Sequence, residues 1–425
     1  MTQTKQSVFL SATFAYSIYY VCRLSLSVVK GSLVDGGVLT PTQLGWIGSA
    51  LFYSYGVGKL VNGFLADRTD LRKFATFGLL GTALVNLTLG FTTGFWLFFG
   101  LWLVNGWCQS MGAPSFVVGL TRWFTTKERG TYYGVWSGSH NLGEALTFVL
   151  TTVVVVHFGW RGGFIGSALL GLVGAGILWC FFGDRTERVS LEKTSVAASA
   201  SAWAEQRAML RTPAVWEIAL ASSFMYVVRY AINSWGLFFL QKAKGYAPVE
   251  ASFIISVSSI AGIAGTVLSG WISDRWFGGD RFKPAILMGM LNTLSLLAFA
   301  LVPPSWRWLD IAAMAAFGIS IGALLCYLGG LMAVDLVSPK AAGAALGVVG
   351  IASYIGAGTQ DVVSGYLIDA FKTNTGSTGG YNFTPMLVFW LIASFLSVLM
   401  TIVSWRTSLH RRRASLTSTI SANLR

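Results

Sequence analysis

Two arginines stand in matching surroundings. "YYVCRLSLSV" (19–28) carries Arg23 and "MYVVRYAINS" (225–234) carries Arg229, each inside a run that reads as a membrane span. An ionised side chain at the bilayer centre costs at least about 2.5–3.5 kcal/mol and usually faces a bundle interior or an aqueous cavity. Lys59 is a third such cation, roughly 13 Å along its helix from Arg68. His140 stands about 16 Å inside Arg129, with Glu144 one turn further on the same face. Asp361 is the second carboxylate within a span. The plainer reading is internal ion pairing, but two carboxylates cannot neutralise three cations. An anionic ligand completes the count. Two planar guanidinium forks suit bidentate binding of phosphate or carboxylate, and Lys59 adds a point charge. Three cations together suit a phosphate monoester near charge −2.

These residues need helices to hold them. Of 425 residues, 54% are hydrophobic and only 11% charged, where a soluble domain carries roughly a quarter. Mean hydropathy is +0.62. The chain reads as an all-α polytopic membrane protein. Apolar runs of about 20 residues predict twelve helices, near 8–29, 41–66, 74–94, 95–124, 131–157, 161–183, 214–240, 248–275, 284–303, 308–337, 341–371 and 384–405. The first is read as a span, because Arg23 interrupts it and no small-residue cleavage site follows. With both termini cytoplasmic, 21 of the 30 Lys+Arg fall inside the cell, six outside (Lys30, Arg161, Lys242, Lys244, Arg307, Lys372) and three within spans. That asymmetry is the positive-inside bias. It explains the net charge of +13 without nucleic acid. The four cysteines (Cys22, Cys108, Cys180, Cys326) and three histidines are too scattered for a disulfide framework or metal centre, and no cofactor is implied.

Residues 184–213 form the one long polar interval, a cytoplasmic linker between two six-span halves, 1–183 and 214–406, with a basic tail at 407–425. The halves repeat. "YVCR" matches "YVVR" at an offset of 206, "GFLADRTDLRK" (63–73) matches "GWISDRWFGGDRFK" (270–283) at 207, and "KERGTYYGVWSGSHNLG" echoes "KAAGAALGVVGIASYIG" at 213. Parallel six-helix repeats with a site near the midplane are similar to the major facilitator fold. The paired elements Gly63, Asp67, Arg68 and Gly270, Asp274, Arg275 read as its gating motif. Glycine would permit close helix approach there, and the basic residues would face the anionic leaflet.

The chain resembles the organophosphate:phosphate antiporters of the major facilitator superfamily along all twelve spans. The likeness is densest in "YYVCR", "YSYGVGKLVNGFLADR", "TKERGTYYGVWSGSHNLG", "YVVRYAINSWGLFFL" and "GTVLSGWISDRWFGGDR". The resemblance implies a phosphate site of Arg23 and Arg229 with Lys59 and His140 near it. One departure stands out: Glu144 follows "SHNLG" where the glycerol-phosphate carriers have small residues. With Gln360, Asp361 and Asn141 it suggests a larger, hydroxyl-rich substrate, and Trp136, Tyr20, Tyr230 and Trp235 offer faces for a pyranose. The resemblance implies a bacterial inner-membrane carrier, functional as a monomer. It would exchange a hexose 6-phosphate, such as glucose 6-phosphate, for inorganic phosphate by alternating access. Two rivals are a proton-coupled symporter titrating Glu144, Asp361 or His140, and a membrane sensor of external hexose phosphate.

Overall fold

The computed structural model describes residues 4–183, 205–338, 341–373 and 380–423. Most of the expected linker (184–204), Lys340 and the last two residues of the basic tail lie outside them. Helix starts follow local chemistry. Helix α1 (Lys5–Asp35) begins at a Thr4 capping box, α2 (Pro41–Ala66) at a Thr40–Gln43 box with proline in the first turn, and α3 (Leu71–Phe91) at Asp70. Helix α4 comes in two pieces, Phe95–Gln109 and Gly112–Trp123. Helix α5 joins Thr126–Ser137, Ser139–Leu146 and a π-helical turn, Thr147–Thr151, to the start of Thr152–Phe181. At Gly159, with φ 69°, the chain leaves helical geometry and turns into α6 (160–181). Glycine is suited to that left-handed conformation.

In the second half α7 runs Pro213–Ala231, through a π turn at Ile232–Gly236, to Leu237–Lys242. Helices α8 (Pro248–Phe277) and α9 (Phe282–Leu301) follow. Helix α10 joins Arg307–Cys326, a π turn at Tyr327–Leu331 and Met332–Asp335. Next come α11 (Ala342–Ala370), strands β1 (Lys372–Thr373) and β2 (Gly380–Tyr381), which pair antiparallel, and α12 (Thr384–Asn423). Among the described residues nine stretches are long and apolar enough to cross a membrane. One of these, Lys127–Phe181, holds both α5 and α6, and α2 and the broken α4 complete the twelve.

Helices α1 and α3 pack on α6, and α2 packs on α4; in the other half α8 packs on α10, and α7 on α11 and α12. The halves meet along α1–α7 and along two seams that the repeat relates, α2–α11 and α5–α8. Toward the face opposite the termini these seams are tight. A Cβ on Gly45 would lie 2.5 Å from the Asp361 carbonyl oxygen, and one on Gly365 2.4 Å from that of Pro41. Thr42 donates to Asp369 at 2.8 Å, and Lys242 pairs with Asp35 at 2.5 Å. Toward the termini the seams part: a Cβ on Gly63, Gly134, Gly270 or Gly347 would meet nothing within 4 Å. The bundle is open on the face that carries the termini. In this conformation the motif glycines make no close helix contact. Asp274 instead pairs with Arg281 at 3.4 Å, while Arg122 donates to the Asp67 backbone oxygen at 3.4 Å.

Candidate functional site

Arg23 lies where the open cleft ends, 4% exposed. Its Nη2 donates to the Tyr230 hydroxyl at 3.1 Å, across the seam. Five rings surround its guanidinium carbon: Tyr55 at 4.4 Å, Tyr20 at 5.5 Å, Tyr230 at 5.7 Å, and Phe52 and Tyr354 at 5.8 Å. Ring faces attract a cation, and such contacts reach about 2 kcal/mol when desolvated. They do not cancel the charge. No carboxylate among the described residues pairs with Arg23, and its buried Nε has no partner.

Arg229 is placed alike and partnered differently. Its Nη2 donates to Glu144 Oε1 at 2.7 Å, with both side chains buried. Ser259 of α8 donates to the second carboxylate oxygen at 3.4 Å. Glu144 comes from α5, so the pair spans the seam. A π turn follows Glu144 closely and another follows Arg229 and Tyr230. Such bulges gather at functional sites because they redirect side chains within a helix. The Tyr230 ring serves both arginines, 5.7 Å from one guanidinium carbon and 5.4 Å from the other.

Other expected residues gather here in part. His140 sets its Nδ1 against the Ser137 carbonyl, leaves Nε2 without a partner, and lies 5.6 Å from the Tyr20 ring. Lys59 is exposed on the open side, its Nζ 5.8 Å from the Tyr354 ring and paired with no carboxylate among the described residues. Asn141 lines a narrow cleft with Glu144 and Arg229.

Several expectations need correction. Lys30 is not outside the membrane: α1 continues to Asp35, and Lys30 is fully buried. Its Nζ donates to Ser234 at 2.6 Å and Asp361 at 3.0 Å, and sits 3.6 Å from the centre of the Trp235 ring. That satisfies the ammonium inside the bundle. Asp361 and Trp235 are therefore engaged by Lys30 instead of standing free for a sugar. Gln360 faces into its own half: it donates to Ser364, whose hydroxyl also accepts from Trp390 of α12. Trp136 stacks on Tyr16 at 4.8 Å within the core of the first half. Among the described residues of the site, three buried cations (Arg23, Lys30 and Arg229) and the exposed Lys59 thus have two carboxylates between them. Both carboxylates are taken, by Lys30 and Arg229, so Arg23 and Lys59 remain without one.

The sequence carried signals for what was missed. Lys30 is seven residues, two turns, after Arg23, and Asp361 is seven after Tyr354. Tyr16, Tyr20 and Arg23 share one face, as do Phe52, Tyr55 and Lys59. These spacings mark the cleft-facing stripes of α1, α2 and α11.

The family model of the Major Facilitator Superfamily matches residues 8–360. A probable hexose phosphate transport protein of Chlamydia pneumoniae is 33% identical over 376 residues, 82% of each chain. The membrane sensor protein UhpC of Salmonella typhimurium is 29% identical over 368 residues, 83% of each. Among solved structures, a bacterial homolog of the human lysosomal transporter Spinster, inward-facing and occupied, superposes with TM-score 0.75 at 17% identity, covering 96% of this chain and 98% of that one. At that identity the likeness speaks to fold alone.

Proposed function

We propose, for a chain that belongs to the major facilitator superfamily and within it to the organophosphate:phosphate antiporter family, that it exchanges a sugar phosphate for inorganic phosphate by alternating access. The observation that carries this reading is Arg23: a buried guanidinium at the seam, caged by aromatic rings, with no carboxylate beside it among the described residues. A tetrahedral anion bound there and by Arg229 would be held from both halves at once, and its charge would draw them together. Residues 1–183 and 214–406 are then the two bodies that rock, tethered through 184–213. The Lys30–Asp361, Lys242–Asp35 and Thr42–Asp369 contacts must part for the opposite face to open. With no anion bound, the uncompensated charge resists closure, strongly so in a cavity of low dielectric. An empty carrier then returns slowly, which favours exchange.

A hexose 6-phosphate is the substrate this reading favours. Support comes from the likeness to a hexose phosphate transport protein and from the site itself. Tyr20, Tyr55 and Tyr354 offer hydroxyls and ring faces to a pyranose. Lys59 stands on the open path as a first contact for the anion, and His140 Nε2 is free to join the phosphate. One chain supplies both arginines, so a monomer suffices. The positive-inside asymmetry supports cytoplasmic termini, and the likeness to bacterial proteins supports a bacterial inner membrane. The likeness to a membrane sensor favours one other reading, in which binding is detected and nothing is carried.

Purified protein in liposomes separates these. Labelled glucose 6-phosphate should enter vesicles loaded with inorganic phosphate and enter unloaded ones far more slowly. Binding without entry in either case would support the sensor. Equal entry that follows an imposed pH gradient would support proton coupling.

A further inference from the structure

We infer that Glu144 is a built-in counterion which the substrate's phosphate must displace from Arg229, and that Asn141 and Asn233 receive the displaced carboxylate. This rests on the phosphate-carrying function proposed above.

Glu144 occupies the place on Arg229 that a phosphate oxygen would take. It does so through one strong bond, Nη2 to Oε1 at 2.7 Å, while its other oxygen has only the Ser259 hydroxyl at 3.4 Å. A carboxylate can accept about four hydrogen bonds, so this one is held chiefly by the arginine. Beside it lies a cleft lined by Asn141, Glu144, Arg229, Asn233 and Ser259. Both amides are at least nine-tenths buried, and the Nδ2 of each has no partner. Buried donors are normally satisfied. Two orphaned amides bordering one carboxylate mark a second position for it.

The spacing agrees. Asn141 is three residues before Glu144 on α5, and Asn233 is four after Arg229 on α7, so each charge has an amide one turn away on its own helix. The pocket is crowded on its far side, where a Cβ on Gly262 would come within 3.2 Å of Asn141 Oδ1. A carboxylate turned toward the amides stays within the cleft. Arg23 has no such counterion, so an arriving phosphate meets Arg23 unopposed and must compete only at Arg229. The competition also selects. A dianion outbids the single negative charge of Glu144, whereas a monoanionic carboxylate only equals it.

The test is equilibrium binding of inorganic phosphate to the purified full chain by titration calorimetry. Wild type is compared with Glu144→Gln, with Asn141→Ala/Asn233→Ala, and with all three changes together. Removing the competitor should tighten phosphate binding at least about tenfold, equivalent to about 1.4 kcal/mol. Removing the amides should weaken it severalfold in wild type and leave the Glu144→Gln background unchanged, since no carboxylate then needs a second position. Equal or weaker binding by Glu144→Gln overturns the inference, as does an amide effect of the same size in both backgrounds. If Glu144→Gln does not fold, wild-type affinity in the Asn141→Ala/Asn233→Ala protein overturns it. A wild-type chain that binds neither phosphate nor a phosphate ester defeats the functional reading itself, and this inference with it.

Discussion

Arg23 and Arg229 occupy corresponding turns of α1 and α7, yet among the described residues only Arg229 meets a carboxylate. Arg23 is wrapped by rings that soften the cost of burial without neutralising it. The repeat in the sequence matched the two residues in type and depth, and both are buried. It could not match their partners, because Glu144 has no counterpart in the second copy: Ala357 stands there, 213 residues on. Position followed the repeat, and the balance of charge followed a single substitution. A pair of like residues at a pseudo-symmetric seam can thus differ in partners, one ringed by aromatics and one held by a carboxylate.

The largest expected effect breaks the paired side. Arg229→Gln leaves Glu144 with neutral amides in place of a cation, and removing one partner of a buried ion pair costs about 3–5 kcal/mol. The purified variant should show a clearly lowered melting temperature, and Arg229→Gln/Glu144→Gln should recover most of it without recovering phosphate exchange. The same change at Arg23 strands no carboxylate, so Arg23→Gln should melt near wild type. Equal destabilisation at both arginines would erase the distinction drawn here.

A smaller effect is expected at Lys59, the other cation without a carboxylate. It is exposed, and charge pairs in such settings are worth about 0–1 kcal/mol. Lys59→Gln should therefore raise KM for phosphate by no more than about fivefold, and the difference should shrink at high salt. A salt-independent loss would place Lys59 in the closed site. The smallest effect belongs to Gln360, bonded within its own half. Gln360→Ala should leave the choice between glucose 6-phosphate and glycerol 3-phosphate unchanged, as measured by competition for phosphate exchange.

The fold was largely legible because it is written in long-range regularities: apolar runs, basic loops and the offset near 207 between halves. The chemistry of the site was legible only to the depth of residue type. Arg23, Arg229, Glu144 and His140 do converge, since ionisable side chains in a membrane interior have few places to go. The facing of each side chain was harder. Gln360 and Asp361 are neighbours in sequence, and a helix turns them about 100° apart, so one looks into its own half and the other across the seam. Lys30 was lost for a different reason. A lysine at the end of an apolar run reads as the end of a span, and only its partners on α7 and α11 reveal that the helix continues past it. Those partners are more than two hundred residues away, and nothing local announces them.

The central claim is that phosphate is gripped by the guanidinium fork of Arg23 as well as by its charge. Arg23→Lys keeps the charge and removes the fork. Phosphate self-exchange should be measured in liposomes at matched protein for this variant and wild type, over a range of phosphate concentrations. Loss of a charge-assisted hydrogen bond of about 1.5–3 kcal/mol predicts apparent affinity for phosphate at least about tenfold weaker, with the protein still folded. Exchange by Arg23→Lys at wild-type affinity and rate would contradict the account and make Arg23 a structural cation.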